Sequence, residues 1–188
     1  MAKLAVKFVA ILYIVLSTGL VAAKPRSFDL AVGGRFEIDV PEGWTVAVGG
    51  ADEEVVPWLT ITAPAAKETV LELTLARITS KTRTTLEMVR MGTEAMAADL
   101  KKISVEKELP LQEIKGPSCT GLYVTATDRT VDKPTPDNFK YIAKGGLVAG
   151  GELVMFNVLT NSPDGPGRKQ ALDIARSARH VPAASPEK

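Results

Sequence analysis

Histidine and cysteine are almost missing from this 188-residue chain, which holds one of each, His180 and Cys119. A single cysteine excludes an intramolecular disulfide, so the fold must hold by core packing alone. Cys119 lies in the strand-like run Ser118-Cys-Thr-Gly-Leu-Tyr-Val124 and reads as a buried, inert thiol. One histidine leaves little material for a nucleophile–base triad, which needs its imidazole held between a nucleophile and an acid. A surplus of one charge is missing too, since 23 basic residues face 22 acidic ones. That balance argues against a nucleic-acid binder, which shows a clear basic excess. Beyond the first two dozen residues no stretch is apolar enough to span a bilayer.

The start of the chain carries a strong signal. Lys3 and Lys7 form a basic head, Phe8 to Leu16 is apolar throughout, and Val21-Ala22-Ala23 ends the segment on small residues. These are the parts of a secretory signal peptide cleaved after Ala23, with Lys24 as the new N-terminus. An uncleaved anchor is the rival reading, but a spanning helix needs about 20 apolar residues and this run is shorter. Cleavage removes two of the basic residues and no acid, which leaves a formal charge of −1. The expected organisation is a leader over 1–23, one domain over 24–181 and a frayed tail over 182–188.

Period-two alternation marks strands at Arg35 to Val40, Trp44 to Val48, Trp58 to Thr62 and Thr69 to Leu75. Four strands with short turns predict an antiparallel meander. The period then changes. Leu86, Val89, Met96, Leu100 and Ile103 share one helical stripe, and Thr84 with Glu87 reads as a capping box, so a helix is predicted over 85–102. Strand signals return in one or two short pieces between Ser104 and Lys115, then at Gly121 to Thr127, Phe139 to Val148 and Glu152 to Thr160. Gly150-Gly151 supplies a hairpin turn. A last helix is predicted over 167–179. An α+β domain follows, an antiparallel sheet with helices packed on it.

This order, opened by Phe36-Glu-Ile-Asp-Val-Pro-Glu-Gly-Trp44, resembles the PsbP-like family and its exported bacterial DcrB-like relatives over residues 28–180. The resemblance implies an α/β/α sandwich with a central antiparallel sheet, one long helix between two groups of strands, and a C-terminal helix. It also implies a non-enzymatic role. Photosynthetic members are accessory subunits on the lumenal face of photosystem II, and other relatives bind a nuclear GTPase that an exported chain would not meet. Some photosynthetic members bind metal through His and acidic residues, a route this chain departs from with His180 alone.

The remaining candidates each have a plain reading. His180 beside Arg179 is predicted just past the last helix, where a helix C-terminus favours positive charge. The loop from Asp128 to Asn138 holds three Asp, but its spacing matches no calcium loop and Asp and Pro are ordinary turn residues. Lys144-Gly-Gly-Leu-Val-Ala-Gly-Gly151 lacks the Gly-Lys-Ser/Thr of a phosphate loop, and Gly145 and Gly146 read as a bulge or close packing. Arg168, Lys169, Arg176 and Arg179, with Leu172 in their midst, fall on one predicted helix face, a candidate surface for an anionic partner or a lipid head group, against the plain reading of a solvated face. Trp44, Trp58, Phe36, Phe156 and Tyr123 are expected in the core.

No cofactor motif stands out. The expectation is an exported accessory or binding protein of the cell envelope, most naturally in a bacterial periplasm. A thylakoid-lumen-like compartment is the other destination such a leader serves. The alternatives are a small exported hydrolase using paired carboxylates, or a carrier of a small apolar ligand between sheet and helix.

Overall fold

The computed structural model describes residues 23–30, 34–49, 58–64, 69–76 and 83–183. The expected leader, apart from Ala23, lies outside them, as do the acids at 52–54, positions 65–67 of the predicted turn and all but 182 and 183 of the expected tail. Seven strands form one antiparallel sheet: β3 (Thr45–Gly49), β4 (Trp58–Thr62), β5 (Thr69–Ala76), β9 (Glu152–Thr160), β8 (Tyr141–Ala149), β7 (Cys119–Thr127) and β6 (Gln112–Lys115), in that spatial order. A second sheet joins β1 (Ala23–Asp29), β2 (Arg35–Pro41) and β10 (Arg179–Val181), with β2 in the middle. Helix α1 (Leu86–Leu100) lies between the two groups of strands, and α2 (Pro166–Arg176) follows β9.

The helices cover opposite faces of the large sheet. Along β7, Cys119 and Tyr123 join the main core with Ile174 and Ala175 of α2, whereas Val124 and Ala126 pack with Leu100 of α1. Phe36, Ile38 and Val40 alternate along β2 and enter the same core as α2. One face is therefore shared by α2 and the small sheet. On the other face, α1 lies over β7 and β8.

Several elements differ from the expectation for local physical reasons. Arg35–Pro41 does not open the meander. Gly43, at a φ of 86°, completes the tight turn in which the Trp44 amide donates to the Pro41 carbonyl, and the chain leaves for the other sheet. The meander is β3-β4-β5. Helix α2 stops at Arg176, so Arg179 and His180 are strand residues paired with Glu37 and Phe36 of β2. The hairpin turn at Gly150 and Gly151 forms as expected, both at positive φ.

At the start of α1 the cap is Thr85, whose side chain accepts from the Met88 amide. Thr84 is one residue too early for this role. It is buried, its amide donates to the Gly151 carbonyl, and its hydroxyl has no hydrogen-bond partner among the described residues. The inward stripe shifts accordingly. Val89, Thr93 and Leu100 are buried and Leu86 is exposed; the Thr93 hydroxyl is satisfied by the Val89 carbonyl. Thr85→Ala should cost about 1 kcal/mol in urea melts. Thr84→Val should be neutral or stabilising, because it removes an unsatisfied buried hydroxyl at nearly constant shape.

Candidate functional site

The residues grouped on the predicted helix face are engaged internally. Arg168 donates to the Pro163 carbonyl at 3.0 Å, and Lys169 and Arg176 both bind Asp173, at 2.8 and 2.6 Å. Burial alone would raise the Asp173 carboxyl, but the hydrogen bonds from Lys169 and Arg176 outweigh it and hold the group below its usual range. Leu172 is buried in the core rather than presented to a partner. Arg179, from β10, clamps two acids of β2, Glu37 at 2.9 Å and Asp39 at 3.0 Å. The hydrogen bond to Asp39, and then that to Glu37, push the guanidinium pKa up. The expected common face is therefore split between a helix and a strand.

His180 is equally structural. Its side chain lies between Gly34 and Gly150, two positive-φ glycines at which a Cβ would collide with it, at the imidazole Nε2 and at the His180 Cβ respectively. Its Nε2 is buried and has no hydrogen-bond partner among the described residues. Cys119 is buried as expected. Burial pushes its thiol pKa up, and the sulfur sits 3.2 Å from the Arg176 carbonyl oxygen. In the loop after β7, Asp128 accepts from the amide and hydroxyl of Thr130. Among the described residues no three His, Cys, Asp or Glu side chains converge as metal ligands, and no helix is long and apolar enough to cross a membrane.

Two grooves remain. The smaller, about 200 Å³, lies at the end of β7 and β8 and is lined by Glu106, Thr127, Tyr141, Thr160 and Arg168. Burial alone would raise the Glu106 pKa, but hydrogen bonds from the Ser104 hydroxyl and from the Thr127 amide and hydroxyl bring it down to about 2. This carboxylate pins the segment after α1 to the end of β7. A folded pKa below the unfolded one adds stability above about pH 4.5 that is lost as the pH falls towards 2. The group is largely exposed, so solvent screening cuts its worth to about 1 kcal/mol. Glu106→Gln should lower stability by about that amount at pH 7 and converge with wild type in melts near pH 2.

The larger groove, about 320 Å³, lies on the α1 side of the large sheet, over the half that α1 does not reach. Trp58, Thr60, Glu72 and Thr74 line it. Alternation places them there. Leu59 and Ile61 turn into the core, so Trp58 and Thr60 turn outward. Trp58 is 44 % exposed, against the expectation that it is core. It pairs with Gly49 on β3, and a Cβ at Gly49 would collide with the indole. The ring thus rests on bare backbone at the sheet's edge. Glu72 accepts from the Asn157 amide at 3.2 Å, and Asn157 sits beside Lys144 in the next strand. The other four aromatics expected in the core are buried there: Trp44 has its indole N–H on Gln170, Tyr123 meets Phe156 at 6.1 Å between ring centroids, and Phe36 lies under the small sheet.

The sequence reading missed this face because it grouped Trp58 with Trp44, Phe36, Phe156 and Tyr123 as packing residues. The same alternation that defines β4 already assigns Trp58 to the side away from Leu59 and Ile61. No family model matches the chain, and no curated protein matches it.

Proposed function

We propose that this chain is an exported, non-enzymatic binding protein of the bacterial envelope, a PsbP-like domain that holds a protein partner on its sheet around Trp58. The observation that carries this reading is the half-exposed indole seated on Gly49, in the half of the sheet that α1 leaves clear. A rigid aromatic on a surface is the residue type that anchors protein interfaces. The flanking Thr60, Thr74 and Glu72 supply a polar surround of the kind such anchors have.

Four further considerations support it. Cleavage after Ala23 would release the chain at the first residue of β1, so almost the whole strand would stay in the mature protein. The layer order agrees with a PsbP-like sandwich, although a shared fold carries no function by itself. The enzyme alternative asks for two carboxylates in one pocket, whereas each of the two grooves holds one, and the adjacent pair Glu37 and Asp39 is engaged by Arg179. For the carrier alternative, the space between α1 and the sheet is filled by Leu100, Val124 and Ala126, with Ala97, Ile103 and Ile142 around them.

The test is crosslinking in native cells followed by affinity capture and mass spectrometry. One dominant envelope partner is expected with wild type and should be lost with Trp58→Ala, while the N-terminal residue of the captured chain should read Lys24. Capture of no partner, or of the same partner in equal amount by Trp58→Ala, would overturn the reading.

A further inference from the structure

The large sheet has two edges, and they are built differently. At one edge β6 is four residues long and carries Glu113 and Lys115, paired at 2.7 Å, with Pro110 and Pro117 on either side. Short, charged and proline-flanked edges resist further pairing. At the other edge β3 reads Thr-Val-Ala-Val-Gly, without a charge or a proline. Ala47 is exposed and Val48 is 58 % exposed. No strand among the described residues pairs with the outer side of β3.

The order of residues in β3 indicates what fits there. A twofold interface must be complementary to itself. Val-Ala-Val reads the same in both directions about Ala47. We infer that two copies of this chain pair antiparallel through β3, on a twofold axis at Ala47. Ala47 then faces its own copy, and each Val46 faces a Val48 on the core side, where Val46 already packs against the main cluster. Such β-branched cross-strand pairs favour sheet extension. Each Gly49 meets a Thr45, which brings that threonine beside the indole lying on Gly49. No like charges meet within the ribbon.

Five residues bury less than the roughly 1,200 Å² of a stable interface, so the dimer is weak and reversible. It sets two Trp58 rings on one face, three strand spacings across and four residues along, about 20 Å apart. The inference stands apart from the binding reading, and either can fail alone.

Sedimentation velocity of the purified protein over rising concentration tests it. Wild type should pass from monomer to dimer. Ala47→Lys and Ala47→Glu place like charges across the axis, and each should weaken the dimer by about tenfold or more. An equal mixture of the two should regain it, because Lys then faces Glu. Ala47→Cys should form an oxidised dimer, since opposed Cα atoms lie about 4.5–5.5 Å apart, whereas Lys115→Cys at the other edge should not. This crosslink also serves if a charged variant folds poorly. A wild type that stays monomeric throughout, including one that carries another protein's extended segment on β3, would overturn the inference. So would charged variants that dimerise like wild type, or a mixture that stays monomeric.

Discussion

Gly121→Ala is expected to leave little folded protein. Gly121 faces Leu147 across the β7–β8 pair, and a Cβ there would enter the envelope of the Gly146 carbonyl oxygen and the Leu147 Cα. Gly145 repeats the situation two rungs away, against the Leu122 carbonyl and Tyr123. The two glycines let neighbouring backbones approach closely, so that the fully buried Leu147 and the Tyr123 ring can lean into the core. Neither strand can yield, because α1 packs on one face and the main core fills the other. Breaking this ladder should cost more than about 4 kcal/mol, close to the whole stability of many domains. Gly92→Ala is the contrasting case. That glycine is exposed in α1 with nothing near its missing Cβ, and alanine should add about 0.5–1 kcal/mol. Soluble yield and urea melts of the pair check both. A Gly121→Ala protein of wild-type stability would contradict the close approach of β7 and β8.

Arg179→Glu should cost about 2 kcal/mol, whereas Lys169→Glu should change stability by no more than about 0.5 kcal/mol. Both residues belong to the basic group that the sequence places on one helix face, but their surroundings differ. The Lys169 side chain is 79 % exposed and bonds one carboxylate of its own helix, an arrangement of small worth. Arg179 is 29 % exposed and spans two acids of the neighbouring strand, of which Glu37 is 18 % exposed. Reversal would gather three carboxylates at the seam between β10 and β2. The estimate lies between the surface and buried limits for ion pairs. Thermal melts of the two variants decide the matter. Equal effects would mean that Arg179 is no more structural than Lys169.

Most strands of the large sheet could be read from alternation, and α1 from its helical stripe, because each depends on residues near in sequence. What escaped depends on residues far away. β1, Ala-Lys-Pro-Arg-Ser-Phe-Asp, has a proline and charges and little apolar pattern; it is a strand because β2 lies beside it over seven rungs. β10 is three residues long and pairs with residues some 140 positions earlier. Placing β2 in the meander failed for the same reason, since its partners are the first and last strands rather than its successor.

The candidate site was legible only in part. The alternation of β4 fixes the outward direction of Trp58, but not whether a helix would cover it. That depends on where α1 docks, over β7 and β8, which begin only at Cys119 and Tyr141, well after it ends at Leu100. The basic group on α2 misled for a related reason. Helical spacing predicted a shared face, but the boundary at Arg176 puts Arg179 on a strand, and the core claims Leu172.

The central claim is that the Trp58 face of the sheet holds a partner. Its most direct test is a photo-crosslinking amino acid placed at Thr60, in the groove, and separately at Glu94, exposed on α1. Irradiated in native cells, the Thr60 probe should join the chain to one envelope protein, and the Glu94 probe should not. Crosslinks of equal strength and identity from both positions, or none from Thr60, would contradict the account.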